Sequence, residues 1–278
     1  MVSFFYPVSR PKLSSQNTFC HSPLPNHWFL LILAHNTEAI EKLIHARLED
    51  QGLQKIRLPL GTGRTDPHIP IFASADLSAF VRIVVIFGEP AQDLGILAHR
   101  VASGRGGLDA GSMTSVVRAA TADSRAGPVG VVLANTGQLW WWPEGSRPLT
   151  HAGRHAVPMA SAVHWGRFDD RRKNAVPRNE TVARHVRYVF EQFLHQIAAP
   201  GARLDVIAVA DAADEVEAYL DGAWGEWGGR MNSLALLGGF FKGADLGCEG
   251  FKEFMREVSS AIGPFWSLNH PPFLRNTA

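Results

Sequence analysis

Short, nearly continuous apolar runs alternate along this chain with segments whose apolar positions recur every three to four residues. The runs are Ile56–Leu60, Val81–Phe87 (VRIVVIF), Val129–Ala134 (VGVVLA), Asp205–Ala210 (DVIAVA) and Ser233–Leu237 (SLALL). They do not alternate apolar with polar, so both faces of each predicted strand are covered, as in a parallel sheet. Helices are predicted between them. Asn36–Asp50 carries Ile40, Leu43, Ile44 and Leu48 on one stripe, with Asn36 or Thr37 as N-cap. Leu94–Arg100 and Ser112–Ala120 are shorter. Glu180–Ala199 is the strongest helix, with Val182, Val186, Val189, Phe190, Phe193 and Ile197 on one face and Pro200-Gly201 ending it. Asp214–Leu220 and Glu249–Ile262 close the set.

This alternation predicts an α/β fold, a three-layer, doubly wound and mostly parallel sheet with helices on both faces. Residues 1–27 hold Pro7, Pro11, Pro23 and Pro25 and read as an extended or disordered arm. Residues 28–278 read as one domain. Its stretch 135–179, rich in Trp, Pro, His and Arg, has no helix-length pattern and is expected to be an elaborated loop or lid.

Composition narrows the function only a little. Lys and Arg number 27 against 26 Asp and Glu, a formal charge of +1. That balance supplies no basic field for gripping phosphates, so direct nucleic-acid binding is not expected. Cys20 and Cys248 have no CxxC neighbours, which predicts free thiols in a reducing compartment. The apolar run Trp28–Ala34 falls far short of the ~20 residues of a membrane span. The opening MVSFFYPVSRPKLSS lacks a basic region followed by an apolar run, so no secretory signal is expected and the chain is read as intracellular.

The segment Leu204–Leu220 (LDVIAVADAADEVEAYL) carries the most chemistry. A buried strand runs into a small-residue turn and then a helix, the layout of a nucleophile elbow. Side chains two positions either side of the nucleophile must be small to clear the neighbouring strand and helix. Ala210 takes the nucleophile position, flanked by Ala208, Ala212 and Ala213. An alanine has nothing to attack with. Moving the register by one residue makes Asp211 the nucleophile, with Val209 bulkier than that flank wants. In the chain order nucleophile, acid, base, Asp245 is the candidate acid and His270 the candidate base, each with a plainer reading as a loop aspartate and a tail histidine.

Other motifs are incomplete. His151 and His155 are four residues apart, but Ala152 stands where H-E-x-x-H needs glutamate, so no metal is expected. Gly61-Thr62-Gly63 and Gly104-Arg105-Gly106-Gly107 lack the Lys-Ser/Thr of a phosphate loop, and no cofactor is expected. Trp140, Trp141 and Trp142 with Arg147 form a candidate interaction surface, able to stack on single-stranded nucleic acid or to meet a protein. The plainer reading is a lid packed on the core.

Three blocks resemble the Argonaute-binding-protein-two type domain, also found at the C-terminus of fungal class II histone deacetylases. The first is VVIFGEPAQDLGILAHRVAS (Val84–Ser103) continuing through GLDAGSMTSVV (Gly107–Val117). The second is VVLANTGQLWW (Val131–Trp141), followed by Ser161–His164. The third runs from Asn179 through HVRYVFEQFL and DVIAVADAADEVEAYL to RMNSLALLGG. The resemblance implies an α/β-hydrolase-like fold, often catalytically degenerate. Where distant relatives keep a serine in a pattern like H-S-x-G-G, this chain reads Val209-Ala210-Asp211-Ala212-Ala213. It further implies protein partners in Argonaute small-RNA complexes or histone deacetylase complexes, heterochromatin silencing, and a nuclear or cytoplasmic location. The alternative is a serine-less hydrolase using Asp211 with His270. The closing SLNHPPFLRNTA departs from the family's usual ending and reads as truncation or alternative splicing.

Overall fold

In the computed structural model of this chain, residues 26–122, 127–157, 168–240, 245–257 and 260–262 are described. Seven strands form the main sheet in the order β1-β2-β4-β3-β7-β8-β9, and β5 and β6 form a separate hairpin. The strands are β1 Leu53–Leu58, β2 Ile69–Ser74, β3 Arg82–Phe87, β4 Val129–Ala134, β5 Trp140–Trp142, β6 Arg147–Leu149, β7 Arg203–Val209, β8 Met231–Leu237 and β9 Ser260–Ile262. From β4 through β3, β7 and β8 to β9 the pairing is parallel. Only β2 runs against its neighbours β1 and β4.

Parallel strands are buried on both faces here because successive residues feed different cores. Ile83, Val85 and Phe87 point into one cluster with Val186, Phe190 and Phe193 of the cover helix and Val216, Leu220 and Trp227 of the elbow helix. Val84 and Ile86 point into the other, with Ile44 and Leu48 of the N-terminal helix and Met113 and Val117 of a second helix. The N-terminal helix spans Asn26–Asp50, the second Met113–Ala122, and the elbow helix Asp211–Trp227. The cover helix starts at Val182, capped by the Thr181 side chain, which accepts the Arg184 N–H at 3.2 Å. It widens into a π-helical turn over Val189–Leu194. That turn packs Phe190 against Phe87, Tyr219 and Trp227, with ring centres 4.9–5.7 Å apart. These are three layers, and the mostly parallel α/β expectation is met.

Several boundaries differ from the sequence reading. Strand β2, which contains Pro70 (IPIFAS), is absent from it. The structure tolerates Pro70 because β2 meets β4 only at Phe72 and Ala73, so the proline lies where that partner has ended. The weak strand Ile56–Leu60 is Leu53–Leu58. The N-terminal helix begins ten residues before the expected Asn36 cap, since the apolar run Trp28–Ala34 continues it. Leu94–Arg100 is mostly loop, with one short turn of helix at His99–Ala102. The expected helix Glu249–Ile262 stops at Glu257, and Ser260–Ile262 is instead an edge strand paired with β8. Pairing the exposed N–H and C=O row of β8 outweighs continuing an apolar stripe. Most of the proposed arm, residues 1–25, lies outside the described residues.

One charge sits inside the central sheet. Asp205 in β7 is 4% exposed. Arg82 Nε of β3 donates to its Oδ2 at 2.5 Å. On the other side, β8 carries one extra residue between its pairings Leu204↔Met231 and Asp205↔Ser233. That irregularity lets Asn232 Nδ2 and Ser233 Oγ both donate to Asp205 Oδ1, at 2.7 and 2.5 Å. One carboxylate therefore ties three strands in register. Asp205→Ala strands the half-buried Arg82 and two donors, and is expected to cost about 3 kcal/mol in urea unfolding at pH 7. Loss of less than ~1 kcal/mol would show the register is set by packing alone.

Candidate functional site

Strand β7 ends at Val209 and the elbow helix starts at Asp211, leaving Ala210 alone to reverse the chain. Its backbone sits at φ 54° and ψ −134°, a conformation that side chains other than glycine rarely adopt. Two hydrogen bonds hold it there. Ala210 N–H donates to Leu237 O of β8 at 2.7 Å, and Ala210 O accepts from Ala213 N–H at 2.8 Å. The flanks Ala208, Ala212 and Ala213 are fully buried at the crossing of strand and helix. Just after β8, Gly238 turns at φ 76°, a backbone that favours glycine, beside Ala210. Sequence and local packing thus build the sharp strand–turn–helix unit of a nucleophile elbow. At its apex is a methyl group.

The other sequence-derived site residues are placed as follows. Asp211 is exposed at the first position of the elbow helix. Asp245 is exposed at the far side of residues 241–244. His270 lies outside the described residues. The tryptophans form strand β5 of the hairpin β5–β6, which is separate from the main sheet. Trp141 is 2% exposed, packed on Ile69, Val176 and the His68 ring, so its indole is core and not surface. Trp140 and Trp142 are half-buried under cations, Arg154 at 5.9 Å and Arg147 at 5.8 Å from the ring centres. Arg147 also pairs with Glu38 at 3.7 Å.

Between elbow and hairpin lie the loops after β3 and β4. They approach so closely that a Cβ on Gly137 would meet Gln92 O at 1.8 Å. The space left is about 10 Å³, lined by Gly88, Glu89, Asp93, Asn135 and Thr136 among others, at most one water.

These loops are held by a buried polar network that the sequence reading missed. Fully buried His185 of the cover helix faces Asn179 Oδ1 through Nδ1 at 2.7 Å and receives the Asn135 backbone N–H on Nε2 at 3.2 Å. A backbone N–H can only donate, so Nε2 is an acceptor and Nδ1 carries the hydrogen. Asn135 and Gln138 bond each other twice, through Gln138 N–H to Asn135 Oδ1 and Asn135 Nδ2 to Gln138 Oε1, at 3.0 and 2.9 Å. Gln138 Nε2 then donates to Glu41 at 2.8 Å and Asp93 at 3.0 Å. Burial first, and the Asp93 charge second, raise the Glu41 pKa above its usual range. Nearby, Lys55 Nζ donates to His45 Nδ1 at 2.8 Å, so His45 donates through Nε2 to Leu94 O at 3.1 Å. The only clue in the sequence was polar residues interrupting apolar runs, VVLANTGQ above all.

The Arb2 domain family model matches residues 33–262. The chain belongs to the Arb2 domain family. The matched span takes in the N-terminal helix from residue 33, the elbow and β9, so the whole main sheet is Arb2 domain. Its strand order, with β2 alone antiparallel and the elbow following the strand beside β3, is α/β-hydrolase-like. No curated protein gives a significant match. Two solved structures share similarity: a fungal esterase from Rhizomucor miehei, 12% identical with TM-score 0.30, covering 73% of this chain and 52% of that one; and a hyperthermophilic esterase from the archaeon Pyrobaculum calidifontis, 13% identical with TM-score 0.31, covering 79% and 59%. The Arb2 domain chain thus spans little more than half of each esterase. Among the described residues no cluster of three or more metal-ligating side chains occurs, and no helix is long and apolar enough to cross a membrane.

Two measurements test the site. Ala210→Gly relieves the backbone and is expected to raise stability by about 1 kcal/mol in chemical denaturation, since glycine adopts this conformation freely. A loss would mean the turn is not held as described. Burial holds His185 down to about pKa 3 and His45 to about 4. Below pH ~6.5 the unfolded chain binds protons that the fold refuses, so stability falls as pH drops, by up to ~1.4 kcal/mol per unit per histidine. Urea unfolding at pH 7.5 and 5 is expected to show this loss, and His185→Gln to flatten it.

Proposed function

We propose that this domain is a non-catalytic, hydrolase-like interaction module. The observation that supports it is Ala210: the elbow backbone is kept while its apex carries no hydroxyl, thiol or carboxylate to attack a substrate. Family resemblance suggests the partners, proteins of Argonaute small-RNA or histone deacetylase complexes acting in silencing, at a nuclear or cytoplasmic location. The near-zero net charge favours contact through protein over direct contact with nucleic acid.

The test has two arms. Purified domain is expected to hydrolyse p-nitrophenyl acetate and butyrate no faster than buffer. Turnover that Asp211→Asn and His270→Ala each abolish would replace this proposal with the Asp211 hydrolase. In the second arm, tagged domain is expected to capture Argonaute or deacetylase subunits from its own cells. Recovery of neither would overturn the silencing assignment.

A further inference from the structure

The elbow occupies the C-terminal edge of the parallel strands. At the opposite edge, where β7 and β8 begin, lies a cleft of about 390 Å³ lined by His195, Pro200, Glu226, Trp227 and Arg230. Arg230 is half-buried there and rigidly held. Its Nε donates to Ala202 O at 3.1 Å and its Nη2 to Ala199 O at 3.2 Å. The guanidinium also lies over the Trp227 ring, 5.0 Å from its centre. Trp227 itself is fixed, 1% exposed, with Nε1 donating to Tyr219 Oη at 3.0 Å.

Two features ask for a negatively charged occupant. Among the described residues no carboxylate pairs with Arg230, and its third nitrogen, Nη1, has no protein acceptor. A second guanidinium flanks the same turn: Arg203 donates to Gly229 O at 3.1 Å and Met231 O at 2.9 Å, the residues either side of Arg230. Arg203 therefore holds the backbone on either side of Arg230, and Glu226 is the acid in the cleft lining. A half-buried charge left without a counter-charge is costly, and a guanidinium pre-set by carbonyls and an indole loses little freedom on meeting an anion. The volume suits a small ligand.

We propose that this cleft binds a small oxyanion, a phosphate or carboxylate group, through Arg230 Nη1, with Arg203 supplying field and Glu226 limiting affinity. The site is independent of the elbow and of whether the domain is catalytic.

The test is a titration followed by the Trp227 indole and Arg230 Nε–H signals in ¹H–¹⁵N spectra. Inorganic phosphate and sodium acetate are the probes, at ionic strength held constant with chloride. A saturable shift of those signals with either probe supports the site, and which probe saturates identifies the group. Exposed Glu226→Gln is expected to tighten binding about threefold, the scale of one nearby surface charge. Arg230→Gln is expected to abolish it with the other amide signals in place. Shifts that never saturate with either probe overturn the proposal, as does equal affinity in wild type and Glu226→Gln. The Glu226→Gln result decides the matter even if Arg230→Gln fails to fold.

Discussion

Strands β3, β4 and β7 are covered on both faces, so a charge or polar group inside them, away from their first residues, cannot turn to water for a partner. That constraint organises the rest of the molecule. It admits one carboxylate, Asp205, and only with Arg82, Asn232 and Ser233 all directed at it. It also forces polar chemistry out to the strand ends. There the loops after β3 and β4 knit into a network through Gln138, and the turn after β7 becomes the elbow. What sits at those edges is what the sheet's interior cannot hold.

The elbow shows how packing alone can hold a strained turn. Ala210 has no side chain that needs its strained backbone, yet the backbone is retained. The reason is packing: a covered strand must turn at once into a covering helix, and the small flanks Ala208, Ala212 and Ala213 make that crossing tight. The bonds from Ala210 to Leu237 and Ala213 then fix the turn. That strained backbone is held in place by closure of the sheet edge. On the neighbouring loops, Gln138 joins three elements, with Glu41, Asp93, Asn135 and the Leu94 N–H all gathered on one amide. Two neutral histidines, His45 and His185, flank it with tautomers fixed by what they bond.

By itself the sequence determined the layering, because apolar periodicity reports burial directly. VRIVVIF and VGVVLA can only be doubly covered strands, and the cover-helix stripe from Val182 to Ile197 lies on the core as its spacing requires. It also pointed to the strand–turn–helix around Ala210, since that unit depends on residues adjacent in the chain. Only the tertiary structure decided what depends on neighbours distant in sequence. Pro70 became compatible with β2 because β4 ends beside it. Ser260–Ile262 became a strand because the edge of β8 was open. Trp141 left the surface because Ile69 and Val176 cover it. His185 and Gln138 found their partners across gaps of 50 and 97 residues, to Asn135 and Glu41. Hydrogen bonding carries no period along a chain, so a polar network stays invisible until folding brings its members within reach.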